Sequence, residues 1–209
     1  MYIDSARAYA AAESSVATRY DRSMPVDPES LSIVHYPAEV LRTRARSVDH
    51  VTDEIRLVAA RMFVLMAEAE GVGLAAPQVG LSWRMFVAHV PEDQEEGRSV
   101  DSSPASATRA PQVYINPVLS EPEGVVEPYD EGCLSLPGIS GEVLRPPRIT
   151  ITATGLDGQR FTVRGEGLLA RCWQHEMDHL DGVLILDRMS QLSRLKARRA
   201  IKDLERAAR

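Results

Sequence analysis

The stretch "RCWQHEMDHLDG", from Arg171 to Gly182, carries two histidines four residues apart with a glutamate directly after the first. On a helix, residues four apart stack on one face, so His175 and His179 can aim their imidazoles at one point with Glu176 beside it. This is the HExxH arrangement, in which two histidines bind a metal and the glutamate handles the proton of a metal-bound water. A solvated helix face whose charges happen to be so spaced is the bland alternative.

Such a site needs a third protein ligand, and two cysteines offer themselves, Cys133 and Cys172. Cys172 shares the helix, but at 1.5 Å rise per residue it stands about 10 Å along the axis from His179, whereas ligands of one ion sit about 3 to 4 Å apart. Cys172 therefore reads as a buried thiol near the site. Cys133, in "DEGCLSLPG", lies in an extended or turning stretch that could bring a thiolate in from another element. Taken alone, a lone cysteine of this kind is more often a small buried hydrophobe than a ligand.

The remaining composition narrows the setting. A chain of 209 residues suggests one domain, perhaps with tails, large enough for a real core. With 44% hydrophobic and 26% charged residues, it has the balance of an ordinary soluble protein. A net charge of -6 argues against a nucleic-acid binder over its whole surface, though a local basic patch is compatible with it. No apolar run approaches the roughly 20 residues of a membrane helix, and "MYIDSARAYAAAESS" lacks the basic and apolar regions of a signal peptide. These features lead us to expect a cytoplasmic protein in which the cysteines are ligands or buried thiols and not a disulfide.

The chemistry-bearing residues must be positioned by elements around them. Residues 1 to about 30, rich in Ala, Ser and charge, read as a weakly packed extension. Ile55, Val58, Ala59, Met62, Phe63 and Met66 follow helical spacing from a Thr52 or Asp53 cap to a stop at Gly71, and the Met stripe reads as core. "RMFVAHV" and "VYINPVL" read as short strands separated by a polar, mobile surface loop at about 91–111. "RITITATGLDGQRFTVRG" alternates, turns at Asp157-Gly158 and alternates again, the pattern of a β-hairpin. The HExxH segment then forms a helix from near Gly167. A final helix over about 190–209 begins at Ser190 or Ser193, with Ala197, Ala200, Ile201 and Leu204 on one side. The expected fold is α+β: mostly antiparallel strands around a central HExxH helix, with one helix before the glycine-rich motif and one at the C-terminus.

Three stretches carry a family resemblance. "GVGLAAPQVG" (Gly71 to Gly80), "EGCLS" (Glu131 to Ser135) and "QHEMDHLDG" (Gln174 to Gly182) resemble, in order and separation, the three signature motifs of the peptide deformylases. "YPAEVLR" near Pro37 and "GLDG" near Asp157 are similar too, so the resemblance covers a catalytic domain of about Leu31 to Ser190. It implies removal of the formyl group from formyl-methionine of nascent polypeptides, with one Fe(II) per chain that Zn, Ni or Co can replace. It makes Cys133 the third metal ligand beside His175 and His179. It also makes Glu176 the acid/base, with the Gln78 amide and the Leu134 backbone N–H as donors to the oxyanion. On the substrate side it points to Gly71, Val72, Gly73, Glu131, Gly132, Leu168 and Cys172, with the methionine entering an apolar pocket. Arg171 stands where some relatives are apolar.

The residues themselves add to this. Gly71 and Gly73 form no phosphate loop, because the Gly-Lys-Ser/Thr ending is missing, but glycines allow an extended peptide to approach in β fashion. A zinc endopeptidase would share HExxH yet take a downstream His or acid, where only Asp187 is near. A noncatalytic metal module would close its site with a fourth ligand and leave Glu176 and Gln78 idle. The cationic tail "SRLKARRAIKDLERAAR" could dock on ribosomal RNA, a solvated face being the plainer reading; no membrane partner is expected.

Overall fold

The computed structural model describes residues 25–208; most of the expected N-terminal extension lies outside them. Its last few residues are packed, unlike a loose tail. Asp27 caps a short 3-10 turn at Pro28–Ser30, the Val26 N–H donates to Glu54 Oε1 at 2.6 Å, and Leu31 is buried in the core.

Helix α1 (Asp53–Glu68) starts where Thr52 accepts a hydrogen bond from the Ile55 N–H, so the capping residue is Thr52 itself. Ile55, Val58, Ala59, Met62 and Met66 form its buried stripe, while Phe63 is half-buried. The main sheet joins β1 (Gly73–Ala75), β2 (Met85–Ala88), β3 (Gln112–Glu123), β6 (Arg148–Thr154) and β7 (Arg160–Glu166) in the order β1-β2-β3-β6-β7, all antiparallel. A separate hairpin pairs β4 (Glu127–Gly132) with β5 (Ser140–Arg145). The expected hairpin over β6 and β7 forms in register from Arg148↔Glu166 to Thr154↔Arg160.

The sheet is covered on both faces, which explains why "RMFVA" is apolar without alternation. Met85 and Val87 pack with α1, Leu74 and Val113; Phe86 and Ala88 pack on the opposite side with Tyr114, Ile151 and the second helix, α2 (Gly167–Leu180). Trp173 of α2, 1% exposed, seals this layer, and its ring lies where a Cβ on Gly165 would be, 2.5 Å from that position. Truncating it to Ala would cost about 3–5 kcal/mol. A third cluster joins Leu136, Ile139 and Val143 to the one-turn helix α3 (Ile185–Arg188) and to α4 (Gln191–Ala207). Ser190 caps α4, and Ala197, Ala200, Ile201 and Leu204 face inward as their spacing predicted.

One expectation needs correction. The stretch from 91 to 111 has no long element but is not loosely attached: Thr108 N donates to Val90 O, and Ala105 bonds to β7 through Arg164 O and Glu166 N. Buried Ser106, Ala107 and Thr108 anchor it. The stretch around Cys133 is extended and then turns, as expected, but the β4–β5 hairpin that carries it leaves no pattern in the sequence, because its acidic first strand lacks an apolar face of its own.

Candidate metal centre and substrate cavity

The third candidate ligand, Cys133, reaches the helix because β4 ends at Gly132 and the chain turns, with Leu136 N donating to Cys133 O at 2.9 Å. That turn lays Cys133 against α2. One ligand atom from each of Cys133, His175 and His179 lies within 4.8 Å of the others, and Cys133 Sγ is 3.2 Å from His179 Nε2. Asp187 is outside this cluster. Its carboxylate accepts from Leu184 N at 2.9 Å and pairs with Arg42, so it is committed to the start of α3.

Each imidazole is set by its surroundings. His175 Nδ1 lies 3.2 Å from Glu131 Oε2, which leaves Nε2 for the cluster. Glu131 in turn is gripped by Arg145 through Nε at 2.7 Å and Nη2 at 2.9 Å, and by Arg171 Nη1 at 2.8 Å. Burial alone would raise its carboxyl, but the His175 hydrogen bond and the Arg145 and Arg171 guanidinium groups hold it well below the usual carboxylate range. Arg145 also donates to Asp178 Oδ2 at 2.9 Å, and Arg188 pairs with the same carboxylate. This links β4, β5, α2 and α3 behind the cluster.

Burial opposes charge on His175, yet its hydrogen bonds to Cys133 and Glu131 pull its pKa well above the ordinary histidine value. His179 is pushed well below it by burial and by the cationic His175 and Arg145. A proton held on one imidazole beside a thiol sulfur is what a divalent ion would displace. Two imidazoles and a thiolate suit Fe, Zn, Ni or Co better than Mg or Ca, so the donor set fits such an ion. Among the described residues, buried Glu176 Oε2 has no hydrogen-bond partner. Burial raises Glu176 to about 7, and a nearby divalent charge would draw it down again.

Beside the cluster is a cavity of about 770 Å3. Gly71, Val72, Gly73, Gln78, Glu131, Gly132, Leu134, Leu168 and Cys172 line it, together with Cys133, His175 and Glu176. His179 is 1% exposed and lies behind. The side chain of Gln78 is fixed: Oε1 accepts from the Ala75 N–H at 2.8 Å, so the amide nitrogen turns to Cys133, with Nε2 3.7 Å from Sγ. No group among the described residues accepts from the Leu134 N–H. Cys172 is a buried thiol that donates to Val72 O at 3.4 Å, and burial pushes its pKa up.

Sequence reasoning missed Arg145 and Asp178. A signal existed for Arg145. In β5, Gly141, Val143 and Arg145 share the buried phase, and an arginine on that face requires carboxylate partners.

A model of the polypeptide deformylase family matches residues 30–195. The chain is 42% identical to peptide deformylase of Acinetobacter baumannii over 176 residues, covering 84% of this chain and 92% of that protein. It is 41% identical to that of Neisseria gonorrhoeae over 172 residues, covering 82% and 94% respectively. Among solved structures, peptide deformylase from Ehrlichia chaffeensis superposes with a TM-score of 0.75 at 34% identity, covering 85% of this chain and 96% of that one. The Plasmodium falciparum peptide deformylase in complex with an inhibitor gives 0.71 at 34%, covering 84% and 99%. With the family match running from before α1 into α4, the chain belongs to the polypeptide deformylase family.

Proposed function

We propose that this chain is a metal-dependent peptide deformylase, acting in the cytoplasm on the formyl-methionine of newly synthesised polypeptides. The observation that carries this reading is the convergence of Cys133, His175 and His179 beside a cavity that Glu176 and Gln78 also line. Those three residues would hold one ion, Fe(II) on the family resemblance, with Zn, Ni or Co able to replace it. When bound, the ion supplies Lewis acidity and lowers the pKa of a water at the open fourth position.

The chain's own residues do the rest. Glu176 takes the proton of the attacking water on its carboxylate and returns it to the leaving amine nitrogen. Gln78 Nε2 and the Leu134 N–H donate to the formyl oxygen as negative charge develops on it. β1 is an edge strand of the sheet, so an extended peptide could hydrogen-bond along Gly71, Val72 and Gly73. Leu168 and Cys172 offer apolar surface to its first side chain.

The test is formate release from a formyl-methionyl peptide under anaerobic conditions by iron-loaded protein. Turnover is expected; none from fully loaded protein would overturn the reading. Within the same reading, exposed Arg194, Arg198 and Lys202 on α4, near Arg42, could meet ribosomal RNA. Reversing these charges should abolish low-salt cosedimentation with ribosomes, and unchanged cosedimentation would remove that partner.

A further inference from the structure

Helix α1 carries more apolar surface than the core uses. Its stripe of Ile55, Val58, Ala59, Met62 and Met66 is buried, yet a second apolar set, Leu57, Ala60, Val64 and Ala67, is exposed. Steps of three and four residues put these four on one outward stripe about 15 Å long. Leu57 is 59% and Val64 46% exposed. Between Arg56 and Glu68 the only charged residue is Arg61, and its Nη2 donates to Leu31 O at 3.4 Å. A surface helix ordinarily turns polar residues to water opposite its buried stripe, whereas a helix apolar on both faces is covered on both.

The chain itself leads to this stripe. Val26 N donates to Glu54 Oε1 at 2.6 Å and Leu31 O accepts from Arg61, so residues 26–31 run beside the first turns of α1 in the direction of the helix. The residues before Pro25 therefore leave the body next to Glu54, which is three positions from Leu57 and on the same side of the helix. In the 24 residues that precede Pro25, Tyr2, Ala6, Tyr9, Ala12, Val16 and Tyr20 recur at steps of three and four. As a helix this is one apolar stripe about 27 Å long, more than enough to span the one on α1. The five residues from Tyr20 to Pro25 reach about 17 Å when extended, sufficient for a reversal of direction.

We propose that residues 1–24 turn back at Pro25 and dock their apolar stripe on Leu57, Ala60, Val64 and Ala67, forming the outer layer of α1. The occupant of this surface is thus the chain's own N-terminal segment. Tethering favours it: the Val26–Glu54 hydrogen bond holds the segment beside the stripe at high effective concentration, whereas a second copy has to be recruited from solution. The inference stands apart from the catalytic reading and uses none of its residues.

Amide hydrogen exchange of the full chain, read by mass spectrometry, tests this. Peptides within residues 2–20 should exchange about tenfold or more slowly than free amides. Leu57→Glu combined with Val64→Glu places charge on two exposed positions, and should remove that protection while β6 and α2 stay as protected as in the parent. Tyr9→Ser combined with Val16→Ser changes the other side of the contact without altering any described residue, and should release the segment equally. Free exchange of residues 2–20 in the parent, or equal protection in the parent and both variants, would overturn the proposal. Protection that grows with protein concentration, together with a dimer in sedimentation, would also overturn it by assigning the stripe to a second copy.

Discussion

The carboxylate of Glu176 occupies the space in which a side chain on Gly73 would begin: a Cβ there would stand 2.4 Å from Glu176 Oε1 and 2.9 Å from Cys172 Sγ. The missing side chain on β1 therefore lets the glutamate lie against the strand, within the cavity. Glycine at this position serves the packing of Glu176 as well as any approach of a peptide. Gly73→Ala should push the carboxylate out of place, lowering kcat by about 10²-fold or more with a smaller change in KM. Steady-state kinetics with a metal assay checks this. A kcat within about threefold of the parent at equal metal content would show that Glu176 relocates freely.

Glu131 orients His175 from behind. Glu131→Gln keeps the size but weakens the acceptor, and metal affinity should fall about 10- to 100-fold in a chelator competition. Glu131→Ala goes further, since Arg145 and Arg171 lose their shared partner, and destabilisation of about 3–5 kcal/mol is expected in denaturant unfolding. An affinity change below about threefold in the Gln variant would mean that His175 is held by other contacts.

Gln78 separates transition-state binding from ground-state binding. Its amide oxygen is occupied by the Ala75 N–H, so only its nitrogen is available to a developing oxyanion. Gln78→Leu should lower kcat by about 10² to 10³ with little change in metal content. Gln78→Glu, which places an acceptor where a donor is required, should be at least as damaging. Either variant turning over within about threefold of the parent would dismiss Gln78 as the donor.

What was legible in the sequence was local. The α1 stripe, the α4 inner face and the β6–β7 hairpin are written in spacings of neighbouring residues, and each formed at the expected place. The two-histidine face was equally local. Cys133 was not, because its approach to α2 depends on a hairpin whose acidic strand looks like a loop until Arg145 and Arg171 are seen to neutralise it. The 91–111 segment misled for a related reason: its Ser and Thr residues suggest solvent, yet Thr108 and Ser106 turn inward and satisfy backbone groups. Long-range pairing of polar groups leaves no periodic trace.

Asp187 offers a pH test away from the candidate metal centre. Burial would raise its carboxyl, but the Leu184 N–H and Arg42 outweigh that and lower it. A carboxylate lowered in the folded state adds stability above its unfolded pKa of about 3.9, and loses it as pH falls through the folded value. Asp187→Asn should therefore melt below the parent at neutral pH, with the gap closing below about pH 3.5. A gap of the same size at pH 7 and at about pH 3 would rule out a charge contribution.

The central claim, that three ligands hold an ion while a fourth residue moves the proton, is tested most directly by metal content and formate release in one pair of variants. The measurement compares Cys133→Ala with Glu176→Gln, each loaded anaerobically with iron and assayed on a formyl-methionyl peptide. Cys133→Ala should lose most of its ion and its activity together. Glu176→Gln should keep its ion and lose about 10²- to 10⁴-fold in rate. Full metal occupancy in Cys133→Ala, or parental formate release by Glu176→Gln, would contradict the account.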